Sequence, residues 1–366
     1  MKWFQFITRF LTGASASAVP RKNLIVDTDL FSDVDDAGAL LLAATSPKVN
    51  LLAVNVNYPS TYSALAASAI LAHYGKADVP IGIPRPLANT TFFDSWYYKL
   101  GEYTSKIAFQ WSGGSLPWGN AEDAWDPVNL YRKALAGVED GSVTIVSIGF
   151  LDNVSRSFQI QSEQAQVTNA IKKLSGLLNS TADSYSNLSG PELVVSKVSE
   201  LVIMGGGYPS GHSWNFWGSN STLTAHVIHT WKGKMTFVGD DVGKDVLTGS
   251  SLMRSGPVND PVRMAYIYYR YYEPTSSWDP LALLYAIDGL GELFNIGNED
   301  GYNHIEPNGT NRWVADPEAH DQSFLRLAVS NETGAAVLDR HLLQGALSIK
   351  GGPEEAAGTT SRVNEL

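Results

Sequence analysis

In the stretch Leu24-Ile25-Val26-Asp27-Thr28-Asp29-Leu30-Phe31-Ser32-Asp33-Val34-Asp35-Asp36-Ala37-Gly38-Ala39-Leu40, five carboxylates fall within ten residues. Acids at such close quarters repel one another and raise each other's pKa unless something cationic sits among them. A bound divalent metal is the simplest remedy. Oxygen-only ligands favour a hard ion, Ca²⁺ or Mg²⁺, over zinc or copper. The alternative is an acidic solvated loop with Asp36 as helix N-cap. An ordinary turn needs only one or two acids, however, and this one follows an apolar run directly.

The elements that would position these acids can be read on either side of them. A β-branched apolar run precedes the acids and an Ala/Leu-rich run follows, so the pattern is buried strand, acidic loop, helix. The acids then collect at the carboxyl end of a strand, the edge at which open α/β sheets bind ligands. Leu51–Asn57 reads as a second strand and Thr61–His73 as an Ala-rich helix. Val143–Gly149, Leu201–Met204 and Lys234–Gly239 read as further strands, the fourth meeting Gly205-Gly206-Gly207, where backbone must approach something closely. The alternation predicts an α/β fold with an open, mainly parallel sheet and helices on both faces. From Arg85 to Trp118 aromatics and Gly/Pro dominate, as in a loop over a site or in loop–helix packing. Asn179 to Gly190 reads as a polar surface excursion, and Pro261 to Leu290 as an aromatic helix leading through Pro274 to Trp278 and a second apolar helix.

With 366 residues, 44% hydrophobic and 17% charged, the chain can bury a large core. A net charge of −11 with no Lys/Arg cluster argues against a nucleic-acid surface or an anionic membrane face. The absence of cysteine excludes a disulfide framework, a thiolate nucleophile and a zinc-thiolate site. No uninterrupted apolar stretch reaches transmembrane length. Residues 1–22 read as a signal peptide or disordered start, 23–350 as a single α/β domain and 351–366 as a flexible tail. Seven Asn-x-Ser/Thr sequons, beginning at Asn89, Asn153, Asn179, Asn187, Asn220, Asn308 and Asn331, add to the expectation of a secreted glycoprotein, with a cytoplasmic location left open.

Two families share features of the acidic stretch. Asp27-Thr28-Asp29 after an apolar strand resembles the phosphatases that form an aspartyl-phosphate, with Gly239-Asp240-Asp241 and Asp245 resembling their late acidic motif. In that reading Asp27 is the nucleophile, Asp29 the general acid/base, and the second cluster holds Mg²⁺. It leaves Asp33, Asp35 and Asp36 without a role, and Phe31 stands where that family has Thr or Val.

The second resemblance, to the inosine-uridine preferring nucleoside hydrolases in their fungal-type variant, accounts for more of the chain. That family's strand ends Asp-Thr-Asp, and a short loop leads to Asp-Asp-x-x-Ala-Leu; here the loop is two residues longer and the pair is Asp35-Asp36. Further blocks follow in the family's order: Ile148-Gly149-Phe150-Leu151-Asp152-Asn153, Val202-Ile203-Met204-Gly205-Gly206, Ser213-Trp214-Asn215 and Trp278-Asp279-Pro280-Leu281-Ala282. The resemblance spans about Leu24 to Leu290. It implies a Rossmann-like nucleoside hydrolase fold and Ca²⁺ held by Asp29, Asp36, Asp279 and the Ile148 carbonyl, with the two secondary ribose hydroxyls completing the shell. The metal would orient the ribose and acidify a water, and Asp29 would take the proton as general base. Asp35, Asn215 and Asn57 would bind ribose hydroxyls.

Two departures bear on substrate choice. Trp278 stands where the family often has the His that protonates the leaving base; it can stack on a base, which points to purine nucleosides, or simply pack in the core. Trp96 or Phe93 would supply the opposite wall. Ser213 stands at the family's Glu, which leaves the 5′-hydroxyl to the neighbouring His212. The resemblance thus implies a small-molecule nucleoside substrate, no nucleic-acid or membrane partner, and a homodimer or homotetramer. A non-catalytic nucleoside or ribose binder that keeps the metal site stays open beside the enzyme.

Overall fold

The computed structural model describes residues 21–92, 102–151 and 174–349. Phe93, Trp96, the chain start and the tail beyond Ile349 lie outside the described residues. Eleven strands are described: β1 (Lys22–Thr28), β2 (Val49–Val56), β3 (Ile81–Gly82), β4 (Val143–Ser147), β5 (Val198–Met204), β6 (Ser210–Gly211), β7 (Met235–Val238), β8 (Phe294–Asn298), β9 (Gly301–Ile305), β10 (Asn311–Ala315) and β11 (Gln322–Leu327). Eight form one sheet in the order β3-β2-β1-β4-β5-β7-β11-β8, and β6, β10 and β9 form a small antiparallel sheet. Every pairing in the large sheet is parallel except that of β11 with β8 at the edge. The expected open, mainly parallel sheet is present.

Side chains alternate across the strands, so both faces need cover. Leu24 and Val26 enter the core beneath the helices Asp35–Thr45, Thr61–His73, Trp278–Asp288 and Asn331–Leu347. Ile25, between them, enters the core on the opposite face with Leu130, Leu177, Leu193 and Val227. The helices Asp35–Thr45 and Trp278–Asp288 are buried along nearly their whole length, which explains their Ala- and Leu-rich composition.

The chain first runs outward from β1 to β2 and β3, then returns to the other side of β1 for β4, β5 and β7. The order therefore reverses between β1 and β4. Loops leaving these two strands diverge and open a crevice at their carboxyl ends.

The aromatic helix and the second apolar helix expected between Pro261 and Leu290 are present as Pro261–Arg270 and Trp278–Asp288, separated where Tyr271 and Tyr272 take positive φ of 49° and 68°. Two other features depart from the sequence expectations. Strands β8 to β11 and the helix Asn331–Leu347 had no sequence signal strong enough to assign. β8 lies at the edge and buries little beyond Phe294, so its pattern lacks clean alternation. Finally, Asp36 is not an N-cap: Val34 occupies that position without a side-chain bond, and Asp35 and Asp36 both lie in the first turn.

Candidate active site

Each strand around the switch delivers a residue to the crevice. Asp29 follows β1, Ile148 follows β4, Met204 ends β5, and Asp240 follows β7. Asp279 enters from the first turn of Trp278–Asp288, and Ser213, Trp214 and Asn215 come from the short helix Trp214–Trp217 and its cap. These residues, with Ser32, Asp33, Phe92, Tyr269 and Trp278, line a cavity of about 210 Å³.

Asp29 and Asp279 from the cavity wall and the fully buried Asp36 each offer a carboxylate oxygen, all within 4.8 Å of one another. The three are, in that order, 4%, 5% and 0% exposed. Asp36 is anchored by the Thr28 hydroxyl, which donates to Oδ1 and itself accepts from the Leu30 N–H at 3.1 Å. Its other oxygen, Oδ2, is buried without a hydrogen-bond partner. Burial first, and then repulsion from the neighbouring acids, pushes the carboxyls of Asp36 and Asp279 well above the ordinary range. A buried oxygen without a donor and a wholly oxygen donor set fit a hard divalent cation.

A second triad, Asp33, Asp35 and Asp36, is equally compact. Asp35, however, already has work: its Oδ2 accepts the backbone N–H groups of Trp278 at 2.9 Å and Asp279 at 3.2 Å. It caps the helix that carries Asp279, although sequence reasoning gave it a ribose hydroxyl, and it is only 1% exposed. The trio drawn from both ligand-bearing helices and from the end of β1 is the better cation seat.

The other expected residues fall into two groups. Asn215 lines the cavity and donates through Nδ2 to the carbonyls of Ile148 at 3.3 Å and Met204 at 3.2 Å. Trp278 and Ser213 also line it. Asn57 is fully buried behind the site, donating to Phe150 O at 2.9 Å and Asp27 Oδ1 at 3.3 Å. His212 is exposed, stacked on Trp217 at 5.2 Å and outside the cavity wall. Just past β4, Gly149 lets the chain after β1 close in: a Cβ there would collide with Asn57 Oδ1 and lie 2.6 Å from the Asp29 nitrogen and 2.9 Å from the Asp29 Cβ.

Asp27 is fully buried, accepting the Tyr131 hydroxyl at 2.7 Å on Oδ2, and does not line the cavity. A nucleophile must reach its substrate. The aspartyl-phosphate reading loses its central residue on this geometry.

Sequence reasoning did not place Asp240, Trp214 or Tyr269 in the site. Trp214 is 38% exposed and presents an aromatic face in the cavity, packed against Trp217 at 4.5 Å and Phe150 at 6.0 Å. Its signal was its place between Ser213 and Asn215. The sequence shows Asp240 as an acid closing a strand, but only the phosphatase resemblance gives it a role. Its carboxylate accepts the Ser213 hydroxyl at 2.8 Å, and its carbonyl accepts the Trp278 indole N–H at 3.0 Å. Burial, chiefly, raises its pKa to about 6.

No family model matches the chain. It is 24% identical over 287 residues to the inosine-uridine preferring nucleoside hydrolase of Crithidia fasciculata, a match covering 73% of this chain and 79% of that protein. A solved plant nucleoside hydrolase superposes with a TM-score of 0.60 at 17% identity, covering 88% of this chain and 99% of that one. The inosine-uridine preferring nucleoside hydrolase of Bacillus anthracis gives 0.59 at 14% identity, covering 88% and 99%. The resemblance carried by the motifs is borne out by these relatives and by the shared fold.

Proposed function

We propose that this chain, a relative of the nucleoside hydrolases with their fold, is a metal-dependent N-ribohydrolase that splits ribonucleosides into ribose and free base. The observation that carries the reading is the convergence of Asp29, Asp36 and Asp279 on one point, with Asp29 and Asp279 on the cavity wall. The cation we assign there is Ca²⁺, because oxygen ligands from three separate segments suit a large, flexible shell. When bound, it supplies a seat for the sugar diol and acidifies the attacking water.

The chain's own residues do the rest. Asp29 removes the proton from the water as it attacks C1′. The surrounding carboxylates stabilise the positive charge that grows on the sugar as the N-glycosidic bond stretches. Asn215, fixed by two carbonyls, orients a sugar hydroxyl. Trp278 is held edge-on by the Asp240 carbonyl, and Trp214 presents a second indole; two broad aromatic faces favour a purine over a pyrimidine.

The test is release of free base from purine and pyrimidine nucleosides with and without a chelator. Chelation is expected to abolish release, and Asp29→Asn to lower it by roughly 10³-fold or more. Full activity in that variant would refute the assigned base. A protein that binds nucleosides by calorimetry but releases no base over a long incubation would instead be the non-catalytic relative. Secretion is part of the proposal: the sequon asparagines among the described residues, Asn89, Asn179, Asn187, Asn220, Asn308 and Asn331, are all exposed. A mobility shift after glycosidase treatment of protein from its native source checks it.

A further inference from the structure

Cleavage of an N-glycosidic bond leaves an electron pair on the base, and the base departs as a neutral molecule only if a ring nitrogen is protonated. The cavity offers few groups able to do this. Among the described residues its wall carries no histidine, lysine or arginine, and an indole is not an acid. Asp29 and Asp279 belong to the cation seat, and Asp33 sits in the triad beside it. Tyr269 offers a phenol, a far weaker acid than a carboxyl. Asp240 stands apart from the acid cluster, three strands along the sheet from β1, on the side of the cavity where Ser213 and Trp278 meet.

Building on the hydrolase reading, we propose that Asp240 is the general acid that protonates the leaving base. The Ser213 hydroxyl donates to Oδ1, which leaves Oδ2 to carry the proton. Because the Asp240 carbonyl also holds the Trp278 indole, the acid and the stacking face are fixed relative to each other. In the step, the C1′–N bond breaks and its electron pair passes to the base. The Oδ2 proton goes to a base ring nitrogen, water forms the new C1′–O bond, and Asp29 takes the water's proton. Asp240 ends as a carboxylate, Asp29 ends protonated, and exchange with solvent resets both.

The surroundings suit an acid working near neutrality. Burial is the main cause raising the Asp240 carboxyl to about 6, and Asp241 adds to it; the Ser213 hydrogen bond, Lys244 and His212 pull the other way. Asp241 is itself paired with Arg326 from β11, so the two adjacent acids have opposite lots. The Asp241 carboxylate meets a guanidinium, while the Asp240 carboxyl meets a hydroxyl and the cavity.

The experiment compares inosine with 4-nitrophenyl β-D-ribofuranoside, whose nitrophenolate leaves without a proton. Asp240→Asn, which can still accept the Ser213 hydrogen bond, is expected to lower kcat on inosine about 100-fold while leaving the nitrophenyl riboside within about threefold. For the wild type, kcat/KM on inosine should fall as pH rises through about 6, because the acid must be protonated. Ser213→Ala removes a bond that favours the carboxylate, so the alkaline limb should move to higher pH. Equal losses on both substrates, no loss on inosine, or an unmoved limb in Ser213→Ala would overturn the proposal. Wild-type protein that cleaves the nitrophenyl riboside but not inosine would also overturn it. Wild-type protein that cleaves neither overturns the hydrolase reading itself.

Discussion

Two of the places where the described residues bury charge treat it in opposite ways. Arg132, 1% exposed, is fully met by its own chain. Its guanidinium donates to both oxygens of Asp183, to the Ser180 hydroxyl, and to the carbonyls of Ser186 and Leu188. The polar excursion expected from Asn179 to Gly190 is thereby clamped to the helix Pro127–Ala136, and Asp183 is held down to about 2, chiefly by the Arg132 hydrogen bond. At the other place, three carboxyls face one another with an oxygen of Asp36 left over, and burial pushes the pKa values of Asp36 and Asp279 upward. A buried charge neutralised within the chain is structural. One left for an outside partner marks where a ligand belongs.

If that contrast is right, mutations in the two regions should fail differently. Asp279→Asn should lower base release by about 10³-fold. It should also remove the stabilisation expected from the proposed Ca²⁺, about 2.7 kcal/mol for the wild type at a hundred times the dissociation constant, read by urea unfolding with and without the ion. An equal response of wild type and variant would erase the distinction. Arg132→Met should do the reverse, costing about 3 kcal/mol of stability while the calcium response of the folded protein persists. Gly149→Ala tests the space that holds Asp29, since the new Cβ would press on it at 2.6 Å. The expected cost is about 1–3 kcal/mol, with calcium affinity down roughly tenfold in a titration. The smallest effect concerns Asp183, whose side chain is 30% exposed. Its depressed pKa means the contribution is present above the ordinary 3.8 and lost as pH falls through about 2. Wild type and Asp183→Asn should differ by less than about 1 kcal/mol at pH 6 and converge in acid.

The acid-rich loop was legible because strand, carboxylates and helix are contiguous, and Asp279 because Trp-Asp-Pro-Leu-Ala resembles a nucleoside hydrolase block. Such local patterns survive without knowledge of the fold. Asp240 and Trp214 were not legible as site residues, because their membership depends on β7 lying beside β5 and on a four-residue helix placing Trp214 on the cavity wall. Asp35 shows the same limit from the other side. The resemblance gives its carboxylate a ribose hydroxyl, yet its partners in the structure are backbone N–H groups on a distant helix. The glycines after β5 were read correctly as a close approach. Gly206, at φ +79°, leads to Gly207, which Asn311 of the small sheet pins by bonds to both its N–H and its carbonyl.

The Asp35 cap has a consequence for how the protein is made. It fastens a helix synthesised early to one synthesised late, and the cation seat draws on both. A nascent chain released only through β5 therefore holds two of the three acids and none of the clasp. On the proposed reading, ion capture waits until translation has passed the Asp279 helix, which places metal loading late in biogenesis.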